Sequence, residues 1–407
     1  MRCRSLVAPV RSTDDHAARL LSLLRPPVPG IVPLREALGL VLAADVTAAG
    51  AIPPFDNSAM DGYAVRSADC AGASPDAPVT LAVVGESAAG HPFSGSVAPG
   101  FAVRIMTGAP LPAGADAVVA QEHVTRAGAG VVLTAAVRDG AHVRREGEDA
   151  RPGDVVVRAG VELRPRHLAA AASAGVARVE AWPAPRVAFL VTGDELVAPG
   201  EPLGPGQIYE SNATTLAASL QALGAVPIDL GIVGDSADAV RRAVESAVAA
   251  GADLVVTTGG ASVGDHDPVK EGLAGAGIEF LNVAMQPGKP QGLGVVGGVP
   301  VVSLPGNPVA VAVCVELFVG PAVRALRGVP EPAWETLPAA VGWACPPGRE
   351  QLMPVVIEDG SLRPATSGGS GSHLVARLAV ADGIARVPAS TEAVAPGDTL
   401  GFRRFTA

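Results

Sequence analysis

The sequence predicts a multidomain α/β protein: a doubly wound, mostly parallel sheet domain, preceded by small β-rich domains and followed by a small C-terminal β-barrel. Three observations predict it. Between residues 186 and 328, continuous apolar runs alternate with helical ones, as in a parallel sheet covered on both faces. Between 79 and 157, short Val-rich runs are cut by Gly, Pro and Asp, the pattern of small β-domains. The chain has 407 residues, room for roughly two to four domains.

Taken in order, residues 13–25 (TDDHAARLLSLLR) read as an amphipathic helix with Thr13 or Asp14 as its N-cap. Residues 34–46 suggest a second short helix. The β-rich stretch follows. Residues 163–175 return to helix, with Gly175 closing it. Trp182–Pro185 reads as a boundary. Beyond it RVAFLVTG, VPIDLGIV, ADLVVTTGG and VPVVSLPG are strands. ATTLAASLQALG, SADAVRRAVESAVAAG and NPVAVAVCVELFVGPAVRALRG are helices. Residues 329–337 form a Pro-rich linker, and short β runs follow from 338.

Composition bounds the function. A net charge of −10 argues against a non-specific nucleic-acid binder, which needs a basic face. Cys3, Cys70, Cys314 and Cys345 are widely separated, so neither a disulfide framework nor a structural zinc site is expected. The N-terminal stretch lacks the apolar core of a signal peptide, and apolar runs such as Val309–Val319 are too short to span a bilayer. A soluble cytoplasmic protein is expected. His16, His91, His123, His142, His167, His266 and His373 form no metal-ligand pattern, and no Ser/His/Asp or Cys/His arrangement can be built.

Of 30 Lys and Arg residues only Lys270 and Lys289 are lysine, and Asn occurs only at 57, 212, 282 and 307. These rare types fall in a few short runs. TTGGASVGDHD (257–267) follows a strand, and Thr257, Thr258, Gly259 and Gly260 would expose N–H groups and hydroxyls to an anion. Asp265 and Asp267 are able to hold a divalent cation there; the alternative is a tight turn with an acidic helix start. VTGDEL (191–196) puts Asp194 and Glu195 after a buried strand, as helix caps or as ligands to metal and substrate. In SLPGNP (303–308) a helix starts at Asn307 or Pro308, able to receive a negative group or simply a Pro/Gly turn. PGKP (287–290) fixes a lysine in a stiff loop suited to an oxyanion; the alternative is a solvated lysine. PFDNSAMDGYAV (54–65) is too long and distinctive for a plain turn.

These runs, with RIMTGAPLPAGADAVV, REGED, GQIYESN and a closing GSGSH, resemble the MoeA family, the molybdopterin molybdenumtransferases, over nearly the whole chain. The resemblance implies the last step of molybdenum cofactor synthesis: adenylylated molybdopterin and molybdate react with Mg²⁺, AMP leaves, and molybdenum stays on the dithiolene. It implies an elongated homodimer of four-domain subunits, with a cleft partly supplied by the second subunit. On this sequence the domains are 1–55 with 145–180 (I, helical and dimer-forming), 56–144 (II, β-rich), 181–328 (III, molybdopterin-binding) and 329–407 (IV, barrel). The partners implied are a molybdopterin adenylyltransferase and molybdoenzymes.

The resemblance places catalytic roles on Asp61, Thr107, Glu195, Asp267 and Lys289. Metal binding falls on Asp149, Glu195, Asp235 and Asp267. Substrate binding falls on Thr257, Thr258, Gly259, Gly260, Ser262, Pro305, Gly306, Asn307, Pro308, Arg349 and Ser372. Lys289 and Arg349 would attract molybdate, and Ser372 would donate a hydrogen bond to it. Gln286 and Asn282 stand where some members have lysine, which leaves the site less positive. Two other readings are a non-catalytic cofactor-holding scaffold and an insertase that prefers tungstate. Asp61, Glu195, Asp267 and Lys289 speak against pure scaffolding.

Overall fold

The computed structural model describes residues 10–260, 267–366 and 374–405. The chain divides into two compact units: Ile31–Leu38 with Leu42–Ala181, and Met1–Gly30 with Gly39–Val41 and Trp182–Ala407.

The second unit is built on a seven-stranded sheet. Its order is Val10–Arg11, Glu279–Val283, Pro290–Val296, Val299–Leu304, Leu254–Thr258, Arg186–Thr192 and Val226–Val233. The last four strands run parallel, whereas Pro290–Val296 is antiparallel to both neighbours. Both faces are covered. Val187 and Phe189 pack in one cluster with Leu216, Leu220, Val311 and Phe318; Ala188 and Leu190 pack in another with Val240, Val244 and Val269. Alternate residues of one apolar run thus reach opposite cores, which is why these strands carry no polar alternation. Each fully buried Leu or Phe contributes about 1.5–3 kcal/mol.

Four sequence expectations in this unit need correction. The first helix spans Thr13–Leu23, and its cap is Ser12, whose hydroxyl accepts from the Asp15 N–H. The run 279–296 contains three strands, Glu279–Val283, Met285–Gln286 and Pro290–Val296, that its mixed pattern hid. Strand Glu335–Pro338 begins inside the supposed linker. Finally, the apolar run at 309–319 belongs to a helix, Pro308–Leu326, of 19 residues, apolar and long enough by composition to cross a membrane; it is 83% buried in this unit and serves as a core helix. A π-turn, Val315–Val319, interrupts it.

Beyond residue 334, strands Glu335–Pro338, Thr399–Arg404, Gly383–Val387, Glu350–Glu358 and Ser361–Pro364 pair in sequence. A bridge between Ala339 and Leu362 joins the two ends into the expected barrel around Met353, Ala385 and Phe402. Strand Glu350–Glu358 also pairs in parallel with Met285–Gln286.

The first unit carries a six-stranded sheet in the order Val124–Ala127, Gly130–Leu133, Val79–Ser87, Phe101–Ile105, Gly62–Val65 and Ala117–Ala120. Helix Pro165–Ser173 packs on a separate small core with Leu42, Val46, Val157 and Leu163. The helix expected at 34–46 is only a 3₁₀ turn, Leu34–Glu36. Gly39, at φ 78°, breaks the run, and Val41–Leu42 and Val46–Thr47 are short strands.

Candidate functional site

In the larger unit, three parallel strands end side by side at Thr192, Thr258 and Leu304. Residues just beyond these ends, with Asp235 after Val233 and with Asp267 and Pro268, line a cleft of about 470 Å³. A cleft at the carboxyl ends of such strands is the usual binding place in open α/β sheets. Glu195, Asp235, Gly259, Gly260, Asp267, Pro305, Gly306, Asn307 and Pro308 all line it.

The loops meet too closely for larger residues. A Cβ on Gly259, at φ 84°, would lie 2.4 Å from the Thr192 carbonyl oxygen, and one on Gly306 would lie 3.2 Å from the Gly259 Cα. Asp194 and Asp235 each accept a 3.2 Å hydrogen bond from the other's backbone N–H, tying two loops together. No helix follows Asp194 and Glu195 but strand Leu196–Val197, so neither is a helix cap. Asp267 is a cap: its Oδ1 accepts from Lys270 N–H at 3.0 Å, opening helix Pro268–Gly272.

Thr257 and Thr258 differ from expectation. Both are fully buried, lying in the sheet behind the cleft. Their hydroxyls, with those of Thr192 and Ser303, have no hydrogen-bond partner among the described residues. Buried orphan hydroxyls of this kind are uncommon. Ser262, Asp265 and Ser372 lie outside the described residues.

Lys289 and Arg349 do not line the cleft. Lys289 is exposed on the loop before Pro290, which does line it. Met285–Gln286 pair with Glu350–Gln351, and the Glu350 N–H donates to the Ala284 carbonyl at 2.8 Å. This pairing draws the turn that carries half-buried Arg349 to the root of the Lys289 loop.

Sequence reasoning missed Thr192, Glu210 and Asn212. Asn212 Nδ2 donates to the Gly306 carbonyl at 2.7 Å, and Glu210 accepts from the Ala213 N–H at 2.8 Å. Glu210 and Asn212 were marked only as part of GQIYESN, and Asn212 also by the scarcity of asparagine.

The other unit holds a second group. The exposed Asp61 carboxylate accepts from the Thr107 N–H at 2.7 Å and the Thr107 hydroxyl at 2.8 Å. These bonds, the backbone one foremost, hold its pKa below the usual carboxylate value. Asp149 is exposed on the neighbouring GED turn, its N–H on the Ile52 carbonyl. Asp56 ties that turn to the PFDN loop through Arg145 at 2.6 Å and the Glu146 N–H at 2.8 Å. Gly62 is obligatory, since a Cβ there would fall 1.9 Å from the Val119 carbonyl oxygen.

Comparison with known proteins accounts for almost every segment. Residues 11–175 match the MoeA N-terminal region (domain I and II), 188–325 a probable molybdopterin binding domain, and 336–402 the MoeA C-terminal region (domain IV). The chain is 40% identical over 400 residues to molybdopterin molybdenumtransferase 2 of Mycobacterium tuberculosis, covering 96% of this chain and 98% of that one. It is 36% identical over 382 residues to the Haemophilus influenzae molybdopterin molybdenumtransferase, covering 91% and 93%. A crystal structure of a Pyrococcus horikosii molybdopterin biosynthesis MoeA protein superposes with a TM-score of 0.81 at 32% identity, covering 98% and 99%. With all three regions present in one order along the chain, it belongs to the MoeA family, the molybdopterin molybdenumtransferases.

Proposed function

We propose that this chain, a transferase of molybdenum cofactor biosynthesis by its family, inserts molybdate into adenylylated molybdopterin and releases AMP. One observation carries the reading: strand Pro290–Val296 joins the two parts of the site. Its first residue lines the glycine-rich, acidic cleft, and the residue before it is Lys289. A phosphate-bearing pterin fits the cleft, where backbone N–H groups and loop glycines allow close approach. Molybdate, a doubly negative oxyanion, fits the cations Lys289 and Arg349 beside it.

Glu195, Asp235 and Asp267 line the cleft, while Asp149 belongs to the other unit. Among the described residues, no three His, Cys, Asp or Glu side chains are grouped to hold an ion. Mg²⁺ keeps several waters and takes one or two carboxylates together with substrate phosphates. Glu195 and Asp235 would hold it. When bound it would neutralise charge developing on the departing AMP. Asp61 with Thr107 forms a fixed carboxylate for the same reaction.

A homodimer, a cytoplasmic location, exchange with a molybdopterin adenylyltransferase and molybdoenzymes, and a four-domain division of the chain belong to this proposal. The distinct cores at Leu163 and at Tyr63 support the division between I and II, while the sheet core also takes in Leu20, Leu352 and Ile384.

The test is AMP release from adenylylated molybdopterin by the purified protein with Mg²⁺ and either molybdate or tungstate. Oxyanion-dependent AMP is expected with molybdate. No AMP with either oxyanion leaves the scaffold reading, and AMP with tungstate alone reassigns the metal.

A further inference from the structure

Gln291 stands out in the larger unit. It lies in strand Pro290–Val296 opposite Leu281, on a face that otherwise buries Leu281, Val283, Met285 and Cys314. It is 1% exposed. A polar side chain on an apolar face is costly unless it is hydrogen-bonded. Its amide Nε2 donates to the Gly288 carbonyl at 2.9 Å and contacts the Cys314 sulfur at 3.1 Å.

Gly288 is the glycine of PGKP. At φ 108°, a Cβ there would meet the Met285 Cε at 2.9 Å and the Cys314 sulfur at 3.1 Å, so the loop is seated directly on this buried pad. On the other side of Lys289, the Lys289 carbonyl accepts from the Val283 N–H at 2.7 Å. Both carbonyls flanking the Lys289 nitrogen and Cα are therefore tied down: one by the sheet, the other by a single side chain. His16 packs edge-on to Phe318 at 5.0 Å in the same unit.

We propose that Gln291 is a positioning residue for oxyanion binding, clamping the Gly288 carbonyl so that Lys289 is presented in one place at the rim of the cleft. The inference rests on the reading of Lys289 as an oxyanion cation. It predicts an effect confined to molybdate. Gln291→Met keeps length and apolar packing but removes the donor; Gln291→Asn keeps the amide but withdraws it by one methylene.

The experiment titrates the full-length protein and its variants with molybdate alone, then measures KM for molybdate and for adenylylated molybdopterin, and kcat, with thermal melts as a fold check. Lys289→Ala is run in parallel. In either folded Gln291 variant, molybdate Kd and KM should rise roughly three- to tenfold, the range of one neutral hydrogen bond. The KM for adenylylated molybdopterin and kcat at saturating molybdate should stay unchanged. If Lys289→Ala weakens molybdate but both Gln291 variants bind it normally, the positioning role is wrong. Equal weakening toward both substrates makes Gln291 merely structural and also overturns it. If Lys289→Ala itself binds molybdate normally, the oxyanion role of Lys289 fails, and the clamp falls with it.

Discussion

Acidification should destabilise the larger unit through one buried imidazole. His16 is 0% exposed, and burial, helped by the neighbouring positive Arg11, lowers its pKa from 6.5 to about 4. An unfolded chain takes up a proton on this residue below pH 6.5, while the folded chain resists until about pH 4. The folded state therefore binds fewer protons in that window, and stability falls as pH drops through it. At 1.36 kcal/mol per pH unit, the full window is worth about 3 kcal/mol, and the step from pH 7 to pH 5 about 2 kcal/mol. The chain's three tryptophans, Trp182, Trp334 and Trp343, all lie in this unit, so urea unfolding followed by tryptophan fluorescence reads it alone. Wild type should lose about 2 kcal/mol more than His16→Phe between pH 7 and pH 5. Parallel pH profiles for the two proteins would refute the argument, because the buried imidazole would then not be the titrating group.

Three other substitutions test the site. Gly259→Ala should destabilise the same fluorescence-detected transition by about 1–3 kcal/mol, since its Cβ has no room beside Thr192; a neutral effect would mean that the loops separate freely. Thr107→Val removes the weaker of two bonds that lower the Asp61 pKa, so the Asp61 carboxyl, followed by NMR titration, should stay below its ordinary value while AMP release falls. A return to the ordinary value would show that the backbone bond is not the main cause. Asp267→Asn keeps a cap able to accept from Lys270 N–H but removes the charge. Melting should change by less than about 1 kcal/mol while turnover collapses, and normal turnover would reduce Asp267 to a helix cap.

Legibility followed periodicity and chain locality. Arg186–Thr192 and Leu254–Thr258 were visible because a strand buried on both faces must be apolar throughout. Glu279–Val283 and Pro290–Val296 were not, because Asn282, Gln291 and three glycines or prolines interrupt the pattern. The polarity that hid the strand at Gln291 is the polarity that clamps the loop. The short Val41–Leu42 and Val46–Thr47 strands read as helix because LREALGLVLAA has helical composition; only Gly39 at φ 78° stops it. The acidic and glycine loops of the cleft were legible as motifs, each at a strand end. The burial of Thr257 and Thr258 was not, since a strand-end threonine faces either the cleft or the sheet depending on where the turn begins.

The charge pattern explains why a few cations matter in a chain of net charge −10. Several arginines of this unit are already paired with carboxylates. Arg11 pairs with Glu279 at 2.7 Å, Arg324 with Glu331 at 2.7 Å, and Arg386 with Asp14 at 2.8 Å as well as with Glu350. A guanidinium fork held by a carboxylate offers an incoming oxyanion little net field. Lys289 and Arg349 have no ion-pair partner among the described residues, and strand pairing gathers both beside a cleft whose own side chains are acidic. With Gln286 and Asn282 neutral, the attraction depends on where Lys289 is held rather than on how many lysines surround it. Placement, not total charge, then sets oxyanion affinity, and that is why a neutral buried amide beneath the loop carries more of the site's specificity than its distance from solvent suggests.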